Sequence, residues 1–266
     1  MEITAADVAK LRKMTGAGMM DCKAALKDAE GDFDKAKDII REKGKLVADK
    51  RADRTATEGV VVYKIVGQKG YMLCLACETD FVAKNEEFGK SANEILDIAV
   101  AGDIADLDAL MAKVGDVVTE KSGQTGEKVE LPFYARVEAP FIDAYVHTNK
   151  KLGSIIGFSK SLPVEVAHDV CMQATAMAPV SIDAADMPAA VLEKEREIGR
   201  EQARQEGKPE AMLDKIAEGK LAKFIKENTL MNQSLVKDPK KSVAQFIAEA
   251  DKDARIVAYR RFSLND

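Results

Sequence analysis

One order of elements occurs twice in this chain, and it limits the folds open to it. Val60-Val61-Val62-Tyr63-Lys64-Ile65-Val66 reads as a β-branched strand, and Gly67-Gln68-Lys69-Gly70 as a hairpin turn. Tyr71-Met72-Leu73-Cys74-Leu75-Ala76-Cys77, the most apolar short run, reads as a buried second strand, and a helical pattern follows from Glu86 to Ala101. The plan returns with the strand Phe141 to His147, the turn Thr148 to Gly153, the strand Ser154 to Ser159 and a helix from Pro163 to Ala178. The repeat lies in element order and turn chemistry more than in residue identity. It implies an α+β protein with a core of two repeated subdomains, each a small antiparallel sheet backed by helices. Helical segments Leu107 to Val114 and Asp116 to Gln124, with a strand Leu131 to Val137, complete the first unit.

Residues 4 to 43 precede this core as a compact three-helix unit. Thr4 caps the first helix, with Asp7 three residues on and Val8, Leu11 and Met14 on one face. Gly16-Ala17-Gly18 breaks it, Asp21 is placed to cap a second helix, Gly31 ends that one and Asp32 caps a third. Gly44 has the position of a C′ glycine, and residues 45 to 58 read as a polar linker. Met19-Met20 then fall on an inter-helix loop, where adjacent flexible apolar side chains fit either core filling or an adaptable contact surface. Beyond the repeat, Ala189 to Gln205 and Glu210 to Asn228 form a helical hairpin around Gly207-Lys208-Pro209. Its first arm is too polar for a deep core, so it is expected to project and pair with another chain. Thr229 to Val243 reads as a loop, Val243 to Ala250 as a short helix and Ile256 to Phe262 as a final strand.

Composition narrows the chemistry. A net charge of −5 argues against a dedicated nucleic-acid binder; the basic-leaning stretch Lys35 to Arg54 is explained by a solvated helix end. No apolar run approaches the ~20 residues that span a bilayer. The acidic, helix-like start Met1-Glu2-Ile3-Thr4-Ala5-Ala6-Asp7 is unlike a signal peptide, so the cytoplasm is expected. Cys74 and Cys77 have C-x-x-C spacing, but positions i and i+3 of a strand face opposite ways, and zinc would need further ligands. Buried free thiols are the reading, with Cys22 and Cys171 alongside. The only histidines are His147 and His168, no nucleophile or phosphate-loop context occurs, and the Gly16-x-Gly18 pair lacks a preceding strand. The residues describe a binding protein with no cofactor and no enzymatic site.

The turn between the second strand and its helix carries Thr79-Asp80-Phe81-Val82-Ala83-Lys84-Asn85. Thr79 or Asp80 offers an N-cap, which puts Phe81 and Val82 near the tip. Such an aromatic either folds back as a core plug or points out into a partner. Pattern alone favours the plug, because most Phe residues are core.

Two segments carry a family resemblance: Leu11-Arg12-Lys13-Met14-Thr15-Gly16-Ala17-Gly18-Met19-Met20-Asp21-Cys22-Lys23-Ala24-Ala25-Leu26, and Thr79 to Asn85. They closely resemble the two signatures of the translation elongation factor Ts family. Further likeness lies in the Tyr145 to Gly153 turn, the Gly207-Lys208-Pro209 tip and Glu218-Gly219-Lys220-Leu221. The resemblance implies a nucleotide-exchange factor that binds elongation factor Tu carrying GDP, displaces its magnesium and promotes GDP release. It implies a ubiquitin-associated-type module and linker at 1–54, a first core subdomain at 55–139 and a second at 140–186 and 229–266. The hairpin at 187–228 then resembles the family's coiled-coil excursion, suited to a homodimer or a 2:2 complex.

It also implies site residues. Thr79, Asp80, Phe81 and Val82 would act at the partner's magnesium, while Leu11, Arg12, Met19 and Met20 would dock the N-terminal module. His147 would be a supporting contact from the second subdomain. No nucleic acid or membrane partner is implied. Many members carry a further C-terminal helical module; the sequence runs to Phe262-Ser263-Leu264-Asn265-Asp266, so no contact of that kind is expected from it. The competing reading is an adaptor that binds some other protein without touching a nucleotide; a nucleotide-dependent enzyme ranks third.

Overall fold

The structure, a computed structural model, describes residues 3–264. The first two residues of the acidic N-terminal stretch, and Asn265-Asp266, lie outside the described residues. Helix α1 (Ala5–Thr15) starts at a reciprocal cap: the Thr4 hydroxyl accepts from the Asp7 amide, and the Asp7 carboxylate accepts from the Thr4 amide. Gly16, at φ +67°, ends it in the left-handed region. Helix α2 (Met19–Asp28) begins earlier than Asp21 suggested. Gly18 is its N-cap, and Asp21 lies in the first turn, where a carboxylate suits the positive helix end. Met19 and Met20 are therefore helical residues, not loop residues.

Helix α3 (Phe33–Lys50) also departs from expectation, running straight through Gly44 and into the stretch read as linker. Gly44 is a packing glycine. Helix α6 (Leu107–Thr125) crosses it at Gly123, where an added Cβ would stand 2.4 Å from the Gly44 Cα. Val8, Leu11, Cys22, Leu26, Ala36 and Ile40 form the core of the three N-terminal helices.

The first sheet is antiparallel, ordered β1 (Glu58–Val66), β2 (Lys69–Cys77), β3 (Glu130–Glu138). Between β2 and β3 come α4 (Asp80–Ala83), α5 (Glu86–Ala101) and α6. The two segments expected at Leu107–Val114 and Asp116–Gln124 are one helix. A mid-helix glycine costs only about 1 kcal/mol relative to Ala, and burial of Leu110, Val114 and Val118 carries the stripe past Gly115. Alternation along β2 separates its faces. Leu73, Leu75 and Cys77 pack under Phe88, Ile95, Leu96 and Leu110, whereas Met72, Cys74 and Ala76 face the other way. Cys74 and Cys77 thus lie in different layers, as strand geometry required.

The second sheet is β4 (Phe141–Val146), β5 (Leu152–Phe158) and β8 (Ile256–Ser263), also antiparallel. One face carries Ile142, Ala144 and Ile155 onto Met72 and Cys74 of the first sheet, and Phe133 stacks on Phe262 at 4.8 Å. The other face carries Ile156 and Phe158 under α7 (Val164–Met177) and α10 (Val243–Ala250). The layers run helix, sheet, sheet, helix. Helices α8 (Ala189–Gln205) and α9 (Leu213–Asn228) pair antiparallel, with Arg196–Glu218, Arg200–Asp214 and Arg204–Glu210 ion pairs along the seam. The loop expected between 229 and 243 holds a small hairpin, β6 (Ser234–Leu235) and β7 (Asp238–Ser242).

Candidate docking site

The chain leaves β2 at Cys77 and re-enters helix within three residues, so the turn has few internal bonds of its own. Other elements hold it. The Glu127 carboxylate accepts from the amides of Glu78 (3.1 Å) and Thr79 (3.0 Å) and from the Thr79 hydroxyl (2.5 Å). The Glu78 carboxylate accepts from the Lys128 amide (2.6 Å) and from Arg51 (2.9 Å), which together hold its carboxyl below the usual range. Helix α4 then makes a single turn, and Asn85 caps α5 through the Glu87 amide.

This geometry sorts the side chains. Val82 and Ala83 turn down against the helix–sheet core, and Phe81 stands out at 85% exposure. It is not the local plug that pattern favoured. Asp80 pairs with Lys84 at 2.6 Å, and the lysine's hydrogen bond holds the Asp80 carboxyl below its ordinary value. Leaving a Phe in water forgoes ~1.5–3 kcal/mol of burial, so a braced turn presenting one is a feature to account for.

Grooves flank the turn on both sides. One of ≈ 810 Å³ runs between α4–α5 and the β4–β5 turn, lined by Asp80, Lys84, Asn85, Asn93, Thr148 and Lys150. An adjoining groove of ≈ 400 Å³ shares Asn93, Thr148 and Lys150 with it and reaches His147 and Tyr63. On the opposite side, a groove of ≈ 640 Å³ lies between the end of α1 and helices α5 and α6, lined by Arg12, Met14, Val82, Asn85 and Gln124. Arg12, the Phe81 turn and His147 are thus brought along one connected stretch of surface. His147 is exposed past the end of β4, with its Nδ1 3.1 Å from the Tyr145 hydroxyl. His168 is engaged elsewhere, 3.1 Å from the Asp143 carboxylate and edge-on to the Tyr145 ring.

Met19 and Met20 line none of these grooves. They sit in the first turn of α2, 45% and 77% exposed. Leu11 requires a correction: it is fully buried in the N-terminal helical core and has no surface to offer a partner. Its neighbour Arg12 is exposed. Sequence reasoning missed Glu127, Glu78 and Arg51, which hold the turn. Glu127 lies 48 residues downstream of Thr79, and no local pattern links the two.

The cysteines are all buried and free. Burial pushes the Cys74 and Cys77 thiols up to about 12 and raises Cys171 as well, so thiolate chemistry is disfavoured at neutral pH. Among the described residues no group of His, Cys, Asp or Glu is placed to hold a metal ion, and no helix is long and apolar enough to cross a membrane.

A braced turn offering an aromatic ring between polar grooves is the geometry of a protein that docks on another macromolecule. The comparisons make that class specific. The family described as Elongation factor TS matches residues 78–266. The chain is similar to elongation factor Ts of Christiangramia forsetii, at 46% identity over 99% of both chains. It is likewise similar to those of Azobacteroides pseudotrichonymphae (43%, all of this chain and 99% of the relative) and Porphyromonas gingivalis (41%, the same coverage). The chain belongs to the elongation factor Ts family, whose members are translation elongation factors with a nucleotide-exchange role. The adaptor reading is not favoured.

Proposed function

We propose that this chain speeds GDP release from elongation factor Tu by inserting the Phe81 turn into the partner's nucleotide-binding domain. The observation that carries this reading is Phe81 itself, 85% exposed on a turn fixed from both sides. Exchange needs no covalent step: factor and nucleotide bind the partner with mutual antagonism, and the coupling is reciprocal. Asp80, Thr79 and Val82 set the angle of the ring, and its entry displaces the partner's magnesium. Magnesium bridges phosphate oxygens, so its loss weakens the hold on GDP.

Magnitudes decide how many surfaces are needed. Raising release about a thousandfold takes roughly 4 kcal/mol of strain at the nucleotide site. One buried Phe supplies only ~1.5–3 kcal/mol. Docking by Arg12, Met19 and Met20, with His147 as a further contact, supplies the remainder.

The finer architecture follows the same reading. Residues 1–54 act as a ubiquitin-associated-type module, 55–139 as the first core subdomain, and 140–186 with 229–266 as the second. The α8–α9 hairpin serves as a coiled-coil excursion that brings two copies together, as a homodimer or in a 2:2 complex. The protein works in the cytoplasm and requires no cofactor of its own. Stopped-flow release of fluorescent GDP from elongation factor Tu, with and without the chain, tests the proposal. An unchanged release rate at saturating chain would refute it.

A further inference from the structure

The end of α6 touches both the N-terminal helices and the turn that carries Phe81. Gly123 lies against Gly44 of α3, and the Gln124 side-chain amide donates to the carbonyl of Thr15 at the end of α1 (2.5 Å). Gly126, at φ +72°, then reverses the chain. The reversal lets the next residue, Glu127, reach the Phe81 turn with three hydrogen bonds, two to backbone amides and one to the Thr79 hydroxyl. Lys128 adds its amide to Glu78 and its ammonium to the carbonyl of Arg54 (2.9 Å). A six-residue corner therefore joins the N-terminal helices and the aromatic turn to one base.

We infer that Glu127 is a positioning residue for exchange: it never meets the partner's nucleotide, and it fixes the direction in which Phe81 is presented. Three features carry this. Thr79 precedes α4 yet makes no side-chain cap to it, so its hydroxyl is spent on Glu127. A four-residue helix has too few internal bonds to hold an orientation by itself. A carboxylate accepting several donors at once is also a stiff joint, because charge-assisted bonds are short and directional. Work done by a wedge depends on its angle, and a displacement near 1 Å costs up to about a hundredfold in rate where geometry matters. Affinity depends on the other docking surfaces, which Glu127 does not form.

The inference rests on the exchange reading, so its test keeps the two apart. Glu127→Ala in the full chain should slow release of fluorescent GDP from elongation factor Tu by between about tenfold and a hundredfold. Affinity for nucleotide-free elongation factor Tu should change little, and the melting temperature of the free chain should fall only slightly. Thr79→Val should slow release as well, while Thr79→Ser, which keeps the hydroxyl that bonds Glu127, should recover most of the rate that Thr79→Val loses. Wild-type release by Glu127→Ala, or equal losses of rate and affinity, would overturn the inference. If Glu127→Ala does not fold, the Thr79 variants decide, and normal release by Thr79→Val overturns it. Amide hydrogen exchange at Glu78 and Thr79 in the free chain judges the brace without any partner: Glu127→Ala must accelerate it, and unchanged protection refutes the inference. A wild-type chain that leaves GDP release unaltered sinks the exchange reading alone.

Discussion

Truncating Phe81 to Ala separates the two roles a ring at that turn can have. A core Phe replaced by Ala costs ~3–5 kcal/mol through lost burial and the cavity left behind. An exposed side chain away from any packed feature changes stability by only about 0.5 kcal/mol. Since Phe81 is 85% exposed, F81A is expected to melt close to wild type and to lose its effect in the rate of GDP release. Affinity for nucleotide-free partner should fall less than the rate, because the other surfaces survive and the strain imposed by the ring is relieved. Thermal melts and stopped-flow release check both halves; a collapsed melting temperature or normal exchange would refute the assignment. The position of Phe81 was legible, because the apolar run stops at Cys77 and the next helix opens at Glu86. Its direction was not, since nothing near it in sequence names Glu127 as the group that turns it outward. Leu11 shows the reverse case. Its spacing with Val8 and Met14 marks an apolar stripe, of which the structure buries Val8 and Leu11 and leaves Met14 exposed; the family motif around Leu11 carries no information on that burial.

Elements show which glycines and caps mislead when read one at a time. Gly44 looked like a helix stop because glycine favours that place, and its real reason stands 79 positions away at Gly123. Neither residue explains itself alone; the close crossing of α3 and α6 needs both. Gly123→Ala raises intrinsic helix propensity by about 1 kcal/mol, yet its Cβ would meet the Gly44 Cα at 2.4 Å. Backbone cannot step aside as a side chain can, so we expect a net loss of ~1–3 kcal/mol. Calorimetry of the variant checks the sign: a raised melting temperature would disprove the close crossing. At α2, the cap at Gly18 places Met19 and Met20 in the first turn, where added carboxylates are favoured by the helix end. Replacing both with Asp should therefore barely alter the melt of the free chain while weakening complex formation, measured by titration calorimetry. A large stability loss would return them to the core.

At the scale of the whole molecule, the repeat in the sequence foretold two small sheets with helices behind them, and the burial of β2 on both faces was visible in its unbroken apolar run. What covers its second face was not visible, because cross-sheet partners such as Cys74 and Ile155 share no local pattern. The α8–α9 pair stands apart in the sequence from the Phe81 turn and lines none of its grooves. Deleting residues 189–227 with a short linker should leave GDP release measurable while removing self-association, read by light scattering. Loss of exchange in a folded deletion variant would place the hairpin on the partner instead. Sheet order has one more consequence, for how the molecule is made. β5 is the middle strand of its sheet, with Ser154 opposite Tyr145 on one side and opposite Arg261 on the other. The first sheet is complete once residue 138 has emerged from the ribosome, but β5 waits through two helical hairpin arms for its second neighbour. During that interval an apolar strand carrying Ile155 and Ile156 offers an open edge, the kind that other chains can pair with. A nascent chain stalled before residue 256 would thus be a nucleus for aggregation, and a ribosome that pauses there would need a chaperone at hand.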